Sequence, residues 1–119
     1  MPLAGRRWSF SATVVSGAPE ASGVFGLYEA GELVYLGSTA AGTTLRSALA
    51  AQLRNATRPN SPIRDVTHYA WEIVGLPDLR ELQLLDEFRA QHGKAPRCNE
   101  ALLEASSPAV NVAGRRREL

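Results

Sequence analysis

Twelve of the thirteen basic residues in this chain are arginines, Lys94 being the exception. A guanidinium is a planar fork of donors that matches phosphate oxygens two at a time, so arginine-rich surface predicts a polyanionic partner. Arg6 and Arg7 lie near one end, Arg54, Arg58 and Arg64 flank a polar loop, and Arg115, Arg116 and Arg117 close the chain. Arg46, Ala50 and Arg54 fall on one flank of a helical stretch. Arg46 and Arg54 are thereby placed to hold phosphates, with a plain solvated helix edge as the alternative. The net charge of +1 argues neither way.

Other chemistry is thinner. Cys98 is alone, which excludes an internal disulfide or a cysteine-rich zinc site. His68 and His92 have no second His or Cys at metal-ligand spacing, so structural roles are expected. Asp86 and Glu87 read as solvated carboxylates. Glu81, three residues after Asp78, resembles a capping box and is expected to cap the helix that starts there.

These groups need elements to position them. Gly23 to Tyr28 and Glu32 to Leu36 read as two strands of a hairpin. Glu29-Ala30-Gly31 suits a three-residue loop closed by a residue at positive φ, which Gly31 tolerates. That loop would pair Tyr28 with Glu32, Leu27 with Leu33 and Phe25 with Tyr35, setting Phe25 and Tyr35 directly opposite on one face. A two-residue loop would set them on opposite faces.

Around the hairpin, Trp8, Phe10, Ala12 and Val14 alternate with smaller or polar residues, predicting an edge strand before the turn at Ser16-Gly17-Ala18-Pro19. Ser38 to Gly42 is a connection of small residues. Thr43 or Thr44 can cap a helix to about Asn55, with Leu45, Leu49 and Leu53 as its apolar stripe. A loop over 55–65 precedes a strand from Thr67 to Val74. A helix from Leu79 to His92 buries Leu82, Leu85 and Phe88 and stops at Gly93. Asn99 can cap a last short helix to about Ala105, before a frayed end at Arg115 to Leu119.

The fold class expected is α+β, a three-stranded antiparallel sheet in β-β-α-β-α order, flanked by helices and extended by an N-terminal strand. The divisions expected are an N-terminal extension over 1–22, one domain over 23–111 and a basic tail over 112–119. No apolar run approaches the ~20 residues of a membrane span, and no apolar stretch follows Arg6 and Arg7 as a signal peptide requires. The expected location is cytoplasmic.

Gly23-Val24-Phe25, a spacer and Tyr35-Leu36-Gly37 resemble the two signature triplets of GIY-YIG nucleases, at the family's ten-residue separation. Glu81, Leu84, Leu85 and Phe88 look like the family's E-x-x-L-[IL]-x-x-[YF] helix, and Pro96-Arg97-Cys98-Asn99 like its closing P-x-x-N. The resemblance runs from Gly23 to Asn99. It implies hydrolysis of a phosphodiester with Mg²⁺ or Mn²⁺, a DNA partner, and a site assembled from positions 25, 35, 81 and 99 plus an arginine on the first long helix. Glu81 would bind the metal. Pro108-Ala109-Val110-Asn111 repeats the closing pattern and leaves a competing alignment open, with Glu100 or Glu104 as the metal carboxylate. Asp86 is a further alternative.

Three departures touch the chemistry. Phe25 stands where the family has a tyrosine and carries no hydroxyl. In Leu45-Arg46-Ser47-Ala48-Leu49 the family's arginine position is Ala48, and Arg46 lies two residues away, about 200° around a helix. Gln52 occupies the position of a His or Tyr one turn on. Three functions are therefore carried forward. The first is a domain that binds nucleic acid with weak or absent cleavage. The second is an active metal-dependent endonuclease in which Arg46 substitutes. The third is a protein-interaction domain that has lost nuclease function.

Overall fold

The computed structural model describes residues 6–99. The expected final helix to Ala105, Glu100, Glu104, the second P-x-x-N pattern and Arg115 to Arg117 lie outside the described residues. The architecture is α+β, and β1 (Trp8–Ser9), β2 (Gly23–Glu29), β3 (Glu32–Ser38) and β4 (His68–Ile73) form one antiparallel sheet in the order β1-β4-β2-β3. Helices α1 (Ala12–Val15), α2 (Leu45–Ala56) and α3 (Pro77–His92) complete it. No helix among the described residues is long and apolar enough to cross a membrane.

The alternation of side chains along β2 and β3 builds two cores. Phe25, Leu27 and Val34 are buried with Leu45 and Leu49 of α2, while Val24, Leu36 and Ala70 are buried with Leu84, Leu85 and Phe88 of α3. The sheet is thus a middle layer with α2 on one face and α3 on the other.

The N-terminal segment departs from the expected strand. Only Trp8 and Ser9 pair with β4. Ser11 then caps α1 by accepting a bond from the Val14 amide, a competing local bond that an alternating pattern does not reveal. Val15 and Ala18 are buried in the α2-side core, so this segment packs as part of the domain.

The α2 region follows the expected plan, with Thr44 as N-cap accepting from the Ser47 amide. At α3 the start lies earlier than expected. Pro77 occupies the first helical position, where its missing N–H costs nothing. Glu81 therefore sits in the second turn, and no side chain caps the helix. Rotation of the helix buries Leu84 with Leu85 and Phe88 and leaves Leu82 58 % exposed, against the expected burial of Leu82. Gly93 ends α3 at φ 82°, the expected stop.

Candidate functional site

The hairpin loop has two residues, not three. Ala30 and Gly31 take φ values of 52° and 87°, the pair of positive angles that a tight I′-type turn demands. Glu29 pairs with Glu32 and Tyr28 with Leu33. Carried on without interruption, that register would put Phe25 and Tyr35 on opposite faces. Val34 prevents it. The ladder steps from Tyr28↔Leu33 to Leu27↔Tyr35, so Val34 is an extra residue, a bulge that restores the alternation.

Phe25 and Tyr35 consequently share the α2 face but stand two pairs apart along the ladder, not directly opposed. Phe25 faces Gly37, and Tyr35 faces Leu27. Their ring centroids are 6.0 Å apart and the planes cross at 42°. Phe25 is 2 % exposed and offers only carbon. Burial raises the Tyr35 phenol above its ordinary value, and the charge of Glu81 raises it further, so the phenol is held neutral and the carboxylate lies within its electrostatic reach.

Glu81 projects from α3 to the end of β3. Its carboxylate accepts a 2.5 Å hydrogen bond from the Ser38 hydroxyl, which lies 3.5 Å from Asp78 as well. With the helix starting at Pro77, Glu81 is free of the expected capping role. Ser38 was not among the candidates, having been placed in the small-residue connection. Its parity was the available signal: Ser38 shares a face with Leu36, which looks toward α3, whereas Tyr35 and Gly37 look toward α2.

The Arg46 Nε donates to the Ala18 carbonyl at 2.9 Å, and its Nη1 lies 3.0 Å from the Glu20 carboxylate. The guanidinium thus clasps the N-terminal segment. Ala48 is partly buried and packs against the α2-side core, the same core that holds Phe25 and that Tyr35 packs against. Gln52 accepts a bond from Asn55.

Asn99 ties down the edge of the sheet. Its Oδ1 accepts from the Leu36 amide at 3.0 Å and its Nδ2 donates to the Leu36 carbonyl at 2.9 Å, as a neighbouring strand would. Asn99 therefore fastens the middle of the Tyr35-Leu36-Gly37 triplet. Residues 97–99 are already helical, with the Asn99 amide donating to the Pro96 carbonyl, so Asn99 lies within that turn and does not cap it; the rest of the expected helix to Ala105 lies outside the described residues.

Arg54 and Arg58 are exposed and form no ion pair with another described residue, while Arg64 lies 3.9 Å from Asp65. Asp86 pairs with Arg89 at 3.6 Å. His68 contacts Thr67, His92 stacks on Phe88, and the buried Cys98 thiol donates to the Pro62 carbonyl. Among the described residues no group of three or more His, Cys, Asp or Glu converges on one point. Asp78 and Glu81 are a pair of hard-oxygen donors. Mg²⁺ is commonly held by one or two carboxylates and otherwise by water, so the pair fits such an ion.

No family model, curated protein or solved structure matches the chain in the comparisons made.

Proposed function

We propose that this is a GIY-YIG-like domain that binds nucleic acid and cleaves phosphodiesters weakly or not at all. The observation that carries the reading is the state of the two charge-handling positions. Phe25 lies in the α2-side core and Ala48 packs against it, neither side chain carries a polar atom, and Arg46 is engaged by Ala18 and Glu20. Developing negative charge on a transferring phosphate would meet no guanidinium there, and charge stabilisation is usually the largest catalytic contribution.

Binding is a separate property. Arg54 at the end of α2 and Arg58 in the following loop offer exposed forks to a phosphate backbone. Mg²⁺ or Mn²⁺, if bound by Glu81 and Asp78, would supply Lewis-acid stabilisation. Ser38 would orient the Glu81 carboxylate, and the neutral Tyr35 phenol, carried on the α2 face, lies within electrostatic reach of that carboxylate.

The test is fluorescence anisotropy with duplex DNA, read beside plasmid nicking. Affinity should fall steeply between about 50 and 200 mM salt, with log–log slope reduced by about 2 in Arg54→Ala/Arg58→Ala. Plasmid should stay intact with Mg²⁺ or Mn²⁺. Efficient nicking that Glu81→Ala abolishes would overturn the inactive half of the reading. Absence of binding at low salt would overturn the whole and favour a protein-interaction domain. One observation supports that second reading: Leu76, Leu79 and Leu82 are 69 %, 52 % and 58 % exposed in the α3 region.

A further inference from the structure

The α3 face of the sheet is open at the hairpin end. Helix α3 stops at Gly93, and the chain turns away through Lys94 and Ala95 while β3 continues to the Ala30-Gly31 turn. Between them lies a cavity of about 400 Å³, within the range of small-molecule sites. It is distinct from the site above: Glu32 at this end of β3 and Ser38 at the other are six residues apart, about 20 Å along a strand.

Its lining divides by chemistry. The rims of the buried Tyr28, Leu33 and Phe88 give it an apolar and aromatic side, and the exposed His92 lines it too, stacked on the Phe88 ring. Arg7 and Lys94 bring positive charge to the same space. The Arg7 guanidinium lies 4.1 Å from the centre of the Tyr28 ring, an arrangement that holds the fork in place beside the cavity. Arg97 also lines the cavity, but Glu29 at 2.7 Å and Glu32 at 3.6 Å already partner it. Gln91 adds an amide, both donor and acceptor.

We propose that this cavity binds a nucleoside phosphate, with the base against the apolar rim of Tyr28, Leu33 and Phe88 beside His92 and the phosphate between Arg7 and Lys94. The amide of Gln91 meets the polar edge of the base. A purely inorganic anion would leave the apolar side unused, and a purely apolar ligand would bury two cations without partners. The proposal is independent of the DNA-binding reading, since neither Arg54 nor Glu81 takes part.

The experiment is an amide-resolved NMR titration of the full chain with adenosine 5′-monophosphate, adenosine and inorganic phosphate. The monophosphate should shift Gly31, Leu33, Lys94 and Ala95 saturably, with Kd at or below about 1 mM. Adenosine and phosphate should each bind about tenfold more weakly or worse, because each uses half of the lining. Lys94→Glu should weaken the monophosphate about tenfold and Lys94→Arg should retain it. Lys94 is exposed, so neither variant threatens the fold. Three results would each overturn the proposal: no saturable shift at those amides, phosphate binding as tightly as the nucleotide, or Lys94→Glu leaving affinity unchanged.

Discussion

The ring of Phe25 lies across Gly37, its partner on β3, so closely that a Cβ on Gly37 would meet Phe25 Cζ at 2.6 Å and Tyr35 Cε2 at 2.9 Å. The second triplet thus ends in glycine because the aromatic pair occupies the space above it. Gly37→Ala should cost about 1–3 kcal/mol, the usual range for overpacking a well-filled core. Urea unfolding measures it. Phe25→Leu in the same chain should recover part of the loss, since the two residues share one space. An unchanged unfolding midpoint in Gly37→Ala would mean that the ring moves freely aside.

The tyrosines make stability fall in alkali. Tyr28, Tyr35 and Tyr69 are all raised above the ordinary value of 10.0. Burial is the main cause at each; Glu81 adds to it at Tyr35, and Arg7 opposes it at Tyr28. The unfolded chain therefore releases these protons at lower pH than the folded one. Stability is complete below about pH 10 and is lost as pH rises through the folded-state values. Urea midpoints measured between about pH 9 and 12 should fall, and Tyr35→Phe should flatten the decline. Glu81→Gln should lower the Tyr35 pKa in a phenolate titration. A Tyr35 titration indifferent to that change would separate the two groups.

Much of the scaffold was legible because local chemistry decided it. Thr44 caps α2, Gly93 closes α3, and Gly31 takes positive φ, each a residue chosen by a backbone need. Tertiary packing decided the rest. Nothing local announces that Val34 is bulged, yet the bulge alone keeps Phe25 and Tyr35 on one face of a two-residue hairpin. The D-x-x-E signal at Asp78 and Glu81 competed with Pro77, and the proline set the helix start, freeing Glu81 for Ser38. Arg46 was visible as a candidate, but its commitment to Ala18, 28 positions away, was not.

Asn99 should behave as a strand substitute. Asn99→Ala removes both bonds to Leu36 and should cost about 1–3 kcal/mol, because partly buried backbone groups lose their partners. Asn99→Asp keeps an acceptor for the Leu36 amide but turns a carboxylate oxygen on the Leu36 carbonyl. Amide exchange at Leu36 distinguishes these effects: fast in Asn99→Ala, slower in Asn99→Asp, slowest in the wild type. Equal exchange in all three would show that the edge is protected by something other than this side chain.

The sharpest chemical expectation is a gain of function. A positioned acid or base typically contributes 10²–10⁴-fold, and one charge-stabilising donor about 10²–10³-fold. Phe25 and Ala48 lack both, so the wild type should show no nicking at modest enzyme concentration. Phe25→Tyr with Ala48→Arg introduces the two groups on the face that already carries Tyr35. The Ala48 position is partly buried, so a guanidinium introduced there has a path to solvent. The paired variant should nick supercoiled plasmid with Mg²⁺ or Mn²⁺, and Glu81→Ala in that background should abolish it. Each single change should fall well short of the pair, since groups that act together are strongly non-additive. Heat denaturation and a dispersed NMR spectrum must first establish that the variant folds, because Phe25 is in the core. A folded double variant that leaves plasmid intact, while still binding DNA, would show that Glu81 and Tyr35 do not form a cleavage site.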